Sequence, residues 1–164
     1  MKKTLLIISM FLLVGQVFAQ GYETPENYKF KKADDYKKSE KDIVSAIDWL
    51  STSPVSEQKA ERKKASAFFM TWLTGTPTVS IELNAEIITF MDDADCLLMF
   101  MAGWTKYSIE KKSDDKVKGT MAGIENVIAF YKKNKSALGK NKAVEKYIKL
   151  QNKGELAAFI KKHA

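Results

Sequence analysis

Apolar residues recur at helical spacing along most of the chain, which predicts an all-α fold. Beyond residue 39, four of them fall at i, i+3, i+4 and i+7 and so share one helix face: Ile43, Ala46, Ile47 and Leu50. Ser39 and Asp42 precede this stripe in the spacing of a capping box, with Asp in place of the usual Glu. We therefore expect the first helix to begin at about residue 39.

Similar patterns predict further helices along the chain. Pro54 after Ser53 favours a helix start at that point, because proline suits the first helical position. Residues 78–82 alternate between apolar and polar, but a single strand has no partner, so we prefer a loop that leads into a helix. The further predicted helices span residues 54–74, 81–91, 93–111, 140–151 and 154–162. One more begins at residue 113 and ends between residues 132 and 139. The prediction is thus a bundle, or an irregular helical-repeat array, of about six or seven helices.

The predicted helix 93–111 is expected at the centre of this fold. Residues 96–102 contain no polar side chain, and a helix that is apolar on all sides is a buried one. The next helix has the most regular amphipathic pattern, with spacings of 4, 3, 4 and 3: Val117, Met121, Ile124, Ile128 and Tyr131. Gly119 and Gly123 share one of its faces, which predicts close packing against another helix.

The first 19 residues have the three-part pattern of a signal peptide. Lys2 and Lys3 are followed by an apolar run over 5–14 and by Val17 and Ala19 at the −3 and −1 positions of a cleavage site. The segment resembles Sec-type leaders, and its apolar run is too short for a membrane span. We expect cleavage after Ala19, an extended arm over 20–38 and a helical domain over 39–164. The mature protein is then exported, periplasmic or secreted, and does not span the membrane.

The composition limits the kinds of disulfide, metal and catalytic site that the chain can contain. The 164 residues include one Cys and one His, which excludes an internal disulfide framework and a site of several Cys or His ligands. His163 lies at the end of the chain, and no phosphate-binding, dinucleotide-binding or nucleophile-elbow motif is present. We expect no cofactor and no metal. Cys96 lies among apolar residues and is interpreted as a buried thiol; an intermolecular disulfide and a reactive thiol are the alternatives.

Charge is distributed unevenly along the chain. Residues 65–105 contain five acids and no basic residue, whereas residues 106–164 contain fifteen basic and six acidic residues. The five acids are Glu82, Glu86, Asp92, Asp93 and Asp95. Two carboxyl groups in different environments can act as the acid and base of a glycosidase, so a cell-wall hydrolase is one hypothesis. Helix capping by the aspartates and a solvated face at the glutamates is the other interpretation.

Lysines dominate the last third of the chain. Eight are close together in sequence: Lys132, Lys133, Lys135, Lys140, Lys142, Lys146, Lys149 and Lys153. This pattern is typical of a soluble surface, but it also suits an anionic envelope polymer or lipid head groups, and we assign such contacts to the first five. Nucleic acid is not expected, because the chain is predicted to be exported and contains one Arg.

Aromatic and methionine residues concentrate between residues 68 and 104. Most of them are expected in the core. The alternative is a groove between helices near Trp72, Phe100 and Trp104, where a protein or peptide of the cell envelope would bind. The sequence thus predicts an exported helical binding protein without catalytic machinery, whose expected partner is a protein or peptide of the cell envelope, with the hydrolase as the alternative.

Overall fold

Six helices lie between residues 22 and 163, the part of the chain that the computed structural model describes, and this part contains no strand. They are α1 (Ala33–Thr52), α2 (Lys59–Leu73), α3 (Ala94–Lys111), α4 (Lys116–Leu138), α5 (Lys142–Asn152) and α6 (Leu156–His163). They pack as one bundle, so the all-α, single-domain prediction is confirmed. None of the six has an apolar stretch of the length that a membrane span requires. The predicted signal peptide lies outside the described residues.

The pair formed by α3 and α4 is the centre of the bundle. Phe100 and Trp104 of α3 are buried, and each ring lies against a glycine of α4. A Cβ atom on Gly119 would lie 2.5 Å from Cε2 of Trp104, and one on Gly123 would lie 2.6 Å from Cδ2 of Phe100. The predicted close packing at these two glycines is therefore confirmed. Gly103 of α3 extends the contact, because its own Cβ would lie 2.5 Å from the carbonyl oxygen of Ala122.

The predicted burial of the segment 96–102 is confirmed in most positions. Cys96, Met99, Phe100 and Ala102 are buried, whereas the intervening side chains are half-buried: Leu97, Leu98 and Met101. In α4 the amphipathic stripe is buried from Ile124 onward, and its first member, Val117, is exposed. The helix begins only one residue before Val117, at the edge of the bundle, where no other helix covers that side chain.

Helix α1 begins at Ala33, which corrects the predicted start at residue 39, so the described part of the extended arm ends at residue 32. The carboxylate of Asp35 accepts the backbone N–H groups of Lys31 and Lys32, at 3.0 Å each, and so fixes the first turn. These bonds also lower the pKa of Asp35. The predicted apolar stripe of this helix is fully buried: Ile43, Ala46, Ile47 and Leu50.

The arm is held against the bundle by aromatic rings. Tyr22 stacks on Trp49 of α1 with ring centroids 5.3 Å apart, and Tyr28 meets Phe68 of α2 edge-on at 4.8 Å. Phe30 stacks on Tyr36 at 5.1 Å. The arm therefore has a defined path over α1 and α2 although it contains no regular secondary structure.

The segment between α2 and α3 contains no helix, so the helix predicted over 81–91 is wrong. Asn84 organises a turn in its place. Its backbone carbonyl accepts the N–H groups of Ile87 and Ile88, and its side chain accepts the N–H of Glu86 and donates to the carbonyl of His163. Asn side chains compete in this way with helical backbone bonds. The apolar residues that suggested a helix are buried from a turn instead.

The start of α2 was also predicted too early, at Pro54 instead of Lys59. The N–H of Val55 donates to the side chain of Asn134 on α4 at 2.9 Å. The N–H of Glu57 donates to the carbonyl of Pro54 at 3.3 Å, so this stretch forms a turn before the helix. Arg62 then lies in the first turns of α2 and is 7% exposed. Its guanidinium donates to the carbonyls of Leu50 and Ser53 at 3.0 and 3.2 Å, and its carbon atom lies 5.7 Å from the ring centre of Phe130.

Candidate functional site

The connection between α4 and α5 fixes the orientation of the lysine-rich α5. Helix α4 ends at Leu138 and is capped by Gly139, which has a φ of +73°. The hydroxyl of Tyr131 donates to the carbonyl of Gly139 at 3.1 Å and accepts the N–H of Asn141 at 3.0 Å. Asn141 caps α5 by accepting the N–H of Val144. Gly139 and Asn141, on the two sides of the connection, are thereby both bonded to one buried tyrosine.

Helix α5 buries one face and leaves the opposite face to solvent. Val144 and Tyr147 are buried, and the hydroxyl of Tyr147 donates to the carbonyl of Ile87. Opposite them, four exposed lysines follow at i, i+4, i+7 and i+11, within about 60° around the helix axis. We name these residues the lysine stripe: Lys142, Lys146, Lys149 and Lys153.

The stripe lies along a shallow cavity of about 430 Å³. Its lining consists of the stripe together with Lys140, Glu145 and Leu150. Glu145 is bound elsewhere, since its carboxylate accepts from Nζ of Lys135 at 2.9 Å. This bond lowers the pKa of Glu145 and raises that of Lys135. No member of the stripe has a carboxylate within 4.0 Å in residues 22–163.

Aromatic rings hold the middle of the stripe. Nζ of Lys146 lies 4.6 Å from the ring centre of Phe159 on α6 and 5.8 Å from that of Tyr147. A cation over a ring face is attracted to its quadrupole, which favours one position of this side chain. Phe159 in turn stacks on His163, with ring centroids 4.3 Å apart. The two last helices thus form one support for the lysine stripe.

The five lysines that the sequence assigned to an anionic polymer are divided by the structure. Lys140 and Lys142 line the cavity. The other three contact the protein itself: Lys132 donates to Gln151 at 3.1 Å, Lys133 to the carbonyl of Thr52, and Lys135 to Glu145. The sequence-based choice omitted the last three members of the stripe, although their spacing from Lys142 placed them on one face of a helix.

The acidic block has separate local contacts. Glu82 forms an ion pair with Lys116, and both side chains are largely exposed. Asp93 caps α3 by accepting the N–H of Cys96 at 3.0 Å, and its second oxygen accepts from Asn141 at 2.9 Å. The predicted capping by Asp93 is confirmed. Asp95 lies in the first turn of α3, whereas the remaining two acids are exposed: Glu86 and Asp92.

The groove expected near Trp72, Phe100 and Trp104 is not formed by these side chains. Trp72 and Phe100 are 0% exposed and Trp104 is 2% exposed. Trp72 donates its indole N–H to the carbonyl of Tyr36 at 2.9 Å, beneath the aromatic arm. Burial of such rings removes a large apolar area from water, which fills the space between the helices. Trp104 alone reaches a cavity, of about 230 Å³.

The thiol of Cys96 is buried and free, as predicted. Burial raises its pKa to about 12, and the nearby carboxylate of Asp93 contributes in the same direction. Within residues 22–163 no three Cys, His, Asp or Glu side chains are grouped so that they could hold a metal ion.

Neither a family model, a curated protein nor a solved structure matches the chain. Evidence for its function therefore comes from the residues and contacts described above.

Proposed function

We propose that the chain is an exported, non-enzymatic binding protein whose lysine stripe binds a linear anionic polymer of the cell envelope. The observation that carries the proposal is the row of four exposed lysines along α5 and at its C-cap, none of which has a carboxylate within 4.0 Å in the described part of the chain. Export is supported by the leader pattern of the first 19 residues.

The stripe has an energetic cost without an anion. Like charges at i, i+3 and i+4 destabilise a helix by about 0.2–0.5 kcal/mol per pair, and the stripe contains three successive pairs. Residues 132–163 contain ten lysines and two acids, Glu145 and Glu155, so their surroundings add to the positive potential. A polyanion would relieve this repulsion.

The shape of the stripe favours a linear polymer over a membrane surface. The twelve residues from Lys142 to Lys153 span about 16 Å along the helix axis, in a row one side chain wide. A helix that binds a membrane surface has an apolar face in addition to its basic one, and the apolar face enters the lipid. The large apolar side chains that are exposed in residues 22–163 are Leu83, Met91 and Val117, and all of them lie outside α5 and α6.

Binding of two soluble polymers tests the proposal. Alginate supplies carboxylates and polyphosphate supplies phosphates, so the two probes distinguish the anion. We expect the logarithm of the association constant to fall with the logarithm of salt concentration with a slope of about 3, as four counterion-releasing contacts predict. Changing Lys142, Lys146, Lys149 and Lys153 together to Gln should weaken binding at low salt by at least about tenfold.

A charge-matched variant is the control. It removes four exposed lysines from the arm, α1 and α2 by the same change to Gln: Lys29, Lys41, Lys59 and Lys63. It should keep most of the affinity. An equal loss in both variants would mean that net charge alone is responsible. Binding to phosphatidylglycerol vesicles but to neither polymer would also overturn the proposal.

The same preparation tests export. The intact mass of the chain recovered from the producing cells should correspond to residues 20–164. A chain that retains residues 1–19 would contradict that part of the proposal.

The hydrolase hypothesis gains no observation in its favour. Its most specific requirement is a pair of carboxyl groups that face each other in a cleft. Glu82 is paired with Lys116 at the surface, and Asp93 is engaged as a helix cap.

A further inference from the structure

A cavity of about 230 Å³ lies between the 82–87 segment and the α3–α4 pair. It is separate from the lysine stripe. Its lining combines charged, polar and apolar side chains: Glu82, Asn84, Ile87, Trp104, Lys116 and Thr120. At about 30 Å³ per water molecule in the liquid, this is room for a ligand of the size of one amino acid.

The indole of Trp104 is a fixed donor at this cavity. Its ring is held against Gly119 and meets Phe100 edge-on at 5.8 Å, so the side chain has little freedom. Its N–H makes no hydrogen bond within residues 22–163. In that part of the chain, the buried side-chain polar atoms that lack a partner and are sealed from solvent are those of Tyr22 and Thr105. The Trp104 N–H is therefore accessible, and the cavity is the space that this residue lines.

An unpaired donor on a 98% buried side chain points to a ligand acceptor. Buried indole N–H groups usually have a partner in the protein, whereas in the described part of the chain this one is left to water or to a ligand in the cavity. Trp72 follows this rule, because its N–H is bonded to Tyr36. Trp104 is the contrasting case in the same core.

The rim of the cavity has both charge signs. Glu82 and Lys116 form an ion pair there, and their side chains are 63% and 68% exposed. An exposed ion pair contributes little to stability, so a ligand can separate it at little cost. Two exposed apolar residues are adjacent in sequence to these charges: Leu83 at 45% and Val117 at 37% exposure.

We propose that this cavity is a binding site for a small zwitterion with an apolar side chain, that is, a free apolar α-amino acid. The ligand carboxylate accepts from the Trp104 N–H and pairs with Lys116. Its ammonium group pairs with Glu82. Its side chain contacts Ile87, which lines the cavity.

The indole N–H signals of the protein provide the test. The chain has three tryptophans, Trp49, Trp72 and Trp104, and the signal that Trp104→Phe removes identifies the reporter. In a titration with L-leucine we expect this signal alone to move, saturably, with a dissociation constant of about 1 mM or below. Leucinamide, which lacks the carboxylate, and 4-methylpentanoate, which lacks the ammonium group, should each bind at least about tenfold more weakly.

Two variants test the rim without altering the core. Glu82→Gln and Lys116→Gln should each raise the dissociation constant for leucine about tenfold. Lys118→Gln is the matched control, because Lys118 is an exposed lysine two residues further along α4 that pairs with Asp115 and does not line the cavity. Its affinity should be unchanged.

Three results would overturn the proposal. They are a Trp104 signal that leucine does not move, equal binding of leucine and its two analogues, and an equal effect of all three charge variants. Polymer binding by the lysine stripe does not depend on this cavity, so each proposal can fail alone.

Discussion

The contact between α3 and α4 makes a sharp prediction at Gly103. A methyl group at this position would lie 2.5 Å from the carbonyl oxygen of Ala122 and 3.0 Å from Cα of Gly123. Both are backbone atoms, so no rotation of a side chain can relieve the overlap. We predict that Gly103→Ala forces the two central helices apart and destabilises the protein.

The magnitude is a balance of two terms. Alanine is more favourable than glycine within a helix by about 0.5–1 kcal/mol. Overpacking of a close contact costs about 1–3 kcal/mol, and the upper end applies here because the opposing atoms are backbone. We expect a net loss of about 2 kcal/mol in the free energy of unfolding. For a chain of this size that is a fall of about 4–8 °C in Tm.

Urea denaturation and thermal unfolding followed by circular dichroism measure this change. Ala137→Gly, at an exposed position of α4, is the control for helix propensity and should cost about 1 kcal/mol. If Gly103→Ala were as stable as the wild type while the control behaved as expected, the close approach of the two helices would be refuted.

Two further predictions concern ionisable groups. Because the pKa of Cys96 is raised to about 12, roughly one thiol in ten thousand is ionised at pH 8, so iodoacetamide should label the urea-unfolded chain but not the folded one. Rapid labelling of the folded protein, measured by mass spectrometry, would contradict this. The pKa of Asp115 is lowered mainly by the backbone N–H of Lys118, so its contribution to stability is present above about pH 4 and is lost as the pH falls through the folded-state pKa. Asp115→Asn keeps a capping oxygen without titrating, and its Tm should fall less than that of the wild type between pH 6 and pH 3. The charge-matched control is Asp114→Asn, and an identical pH response of Asp115→Asn and the wild type would refute the assignment.

The central helices could be predicted from the sequence because one local property determines them. The unbroken apolar run after Cys96 cannot be exposed on any side, and the glycines of α4 have no role on a free helix surface. Asp93, directly before α3, caps that helix, as its position predicted. In each case residues within one or two turns decide the outcome.

The wrong helix predictions occur where contacts between residues distant in sequence determine the structure. The first turn of α1 contains too few apolar residues to be recognised as a helix from the sequence. It depends on Asp35 and on the packing of Tyr36 under the arm. The turn at Asn84 depends on the carbonyl of His163, which lies 79 residues away. The candidate sites also depend on contacts between residues that are distant in sequence. The lysine stripe is recognisable only once Val144 and Tyr147 define the buried face of α5, and the free indole of Trp104 follows from tertiary packing.

The single arginine of the chain has a consequence for how this protein can change. Its other 26 Lys and Arg side chains are all lysines, and the lysines named above end in water, over a ring, or on a carboxylate, amide or carbonyl oxygen near the surface, where a compact hydrated ammonium suffices. Arg62 instead enters the interior and joins the end of α1 to α2 and to Phe130 through a flat, forked group with several donors. A lysine here would lack the planar group that lies over Phe130 and would be more strongly hydrated, so lysine is not a conservative replacement at this junction of three helices.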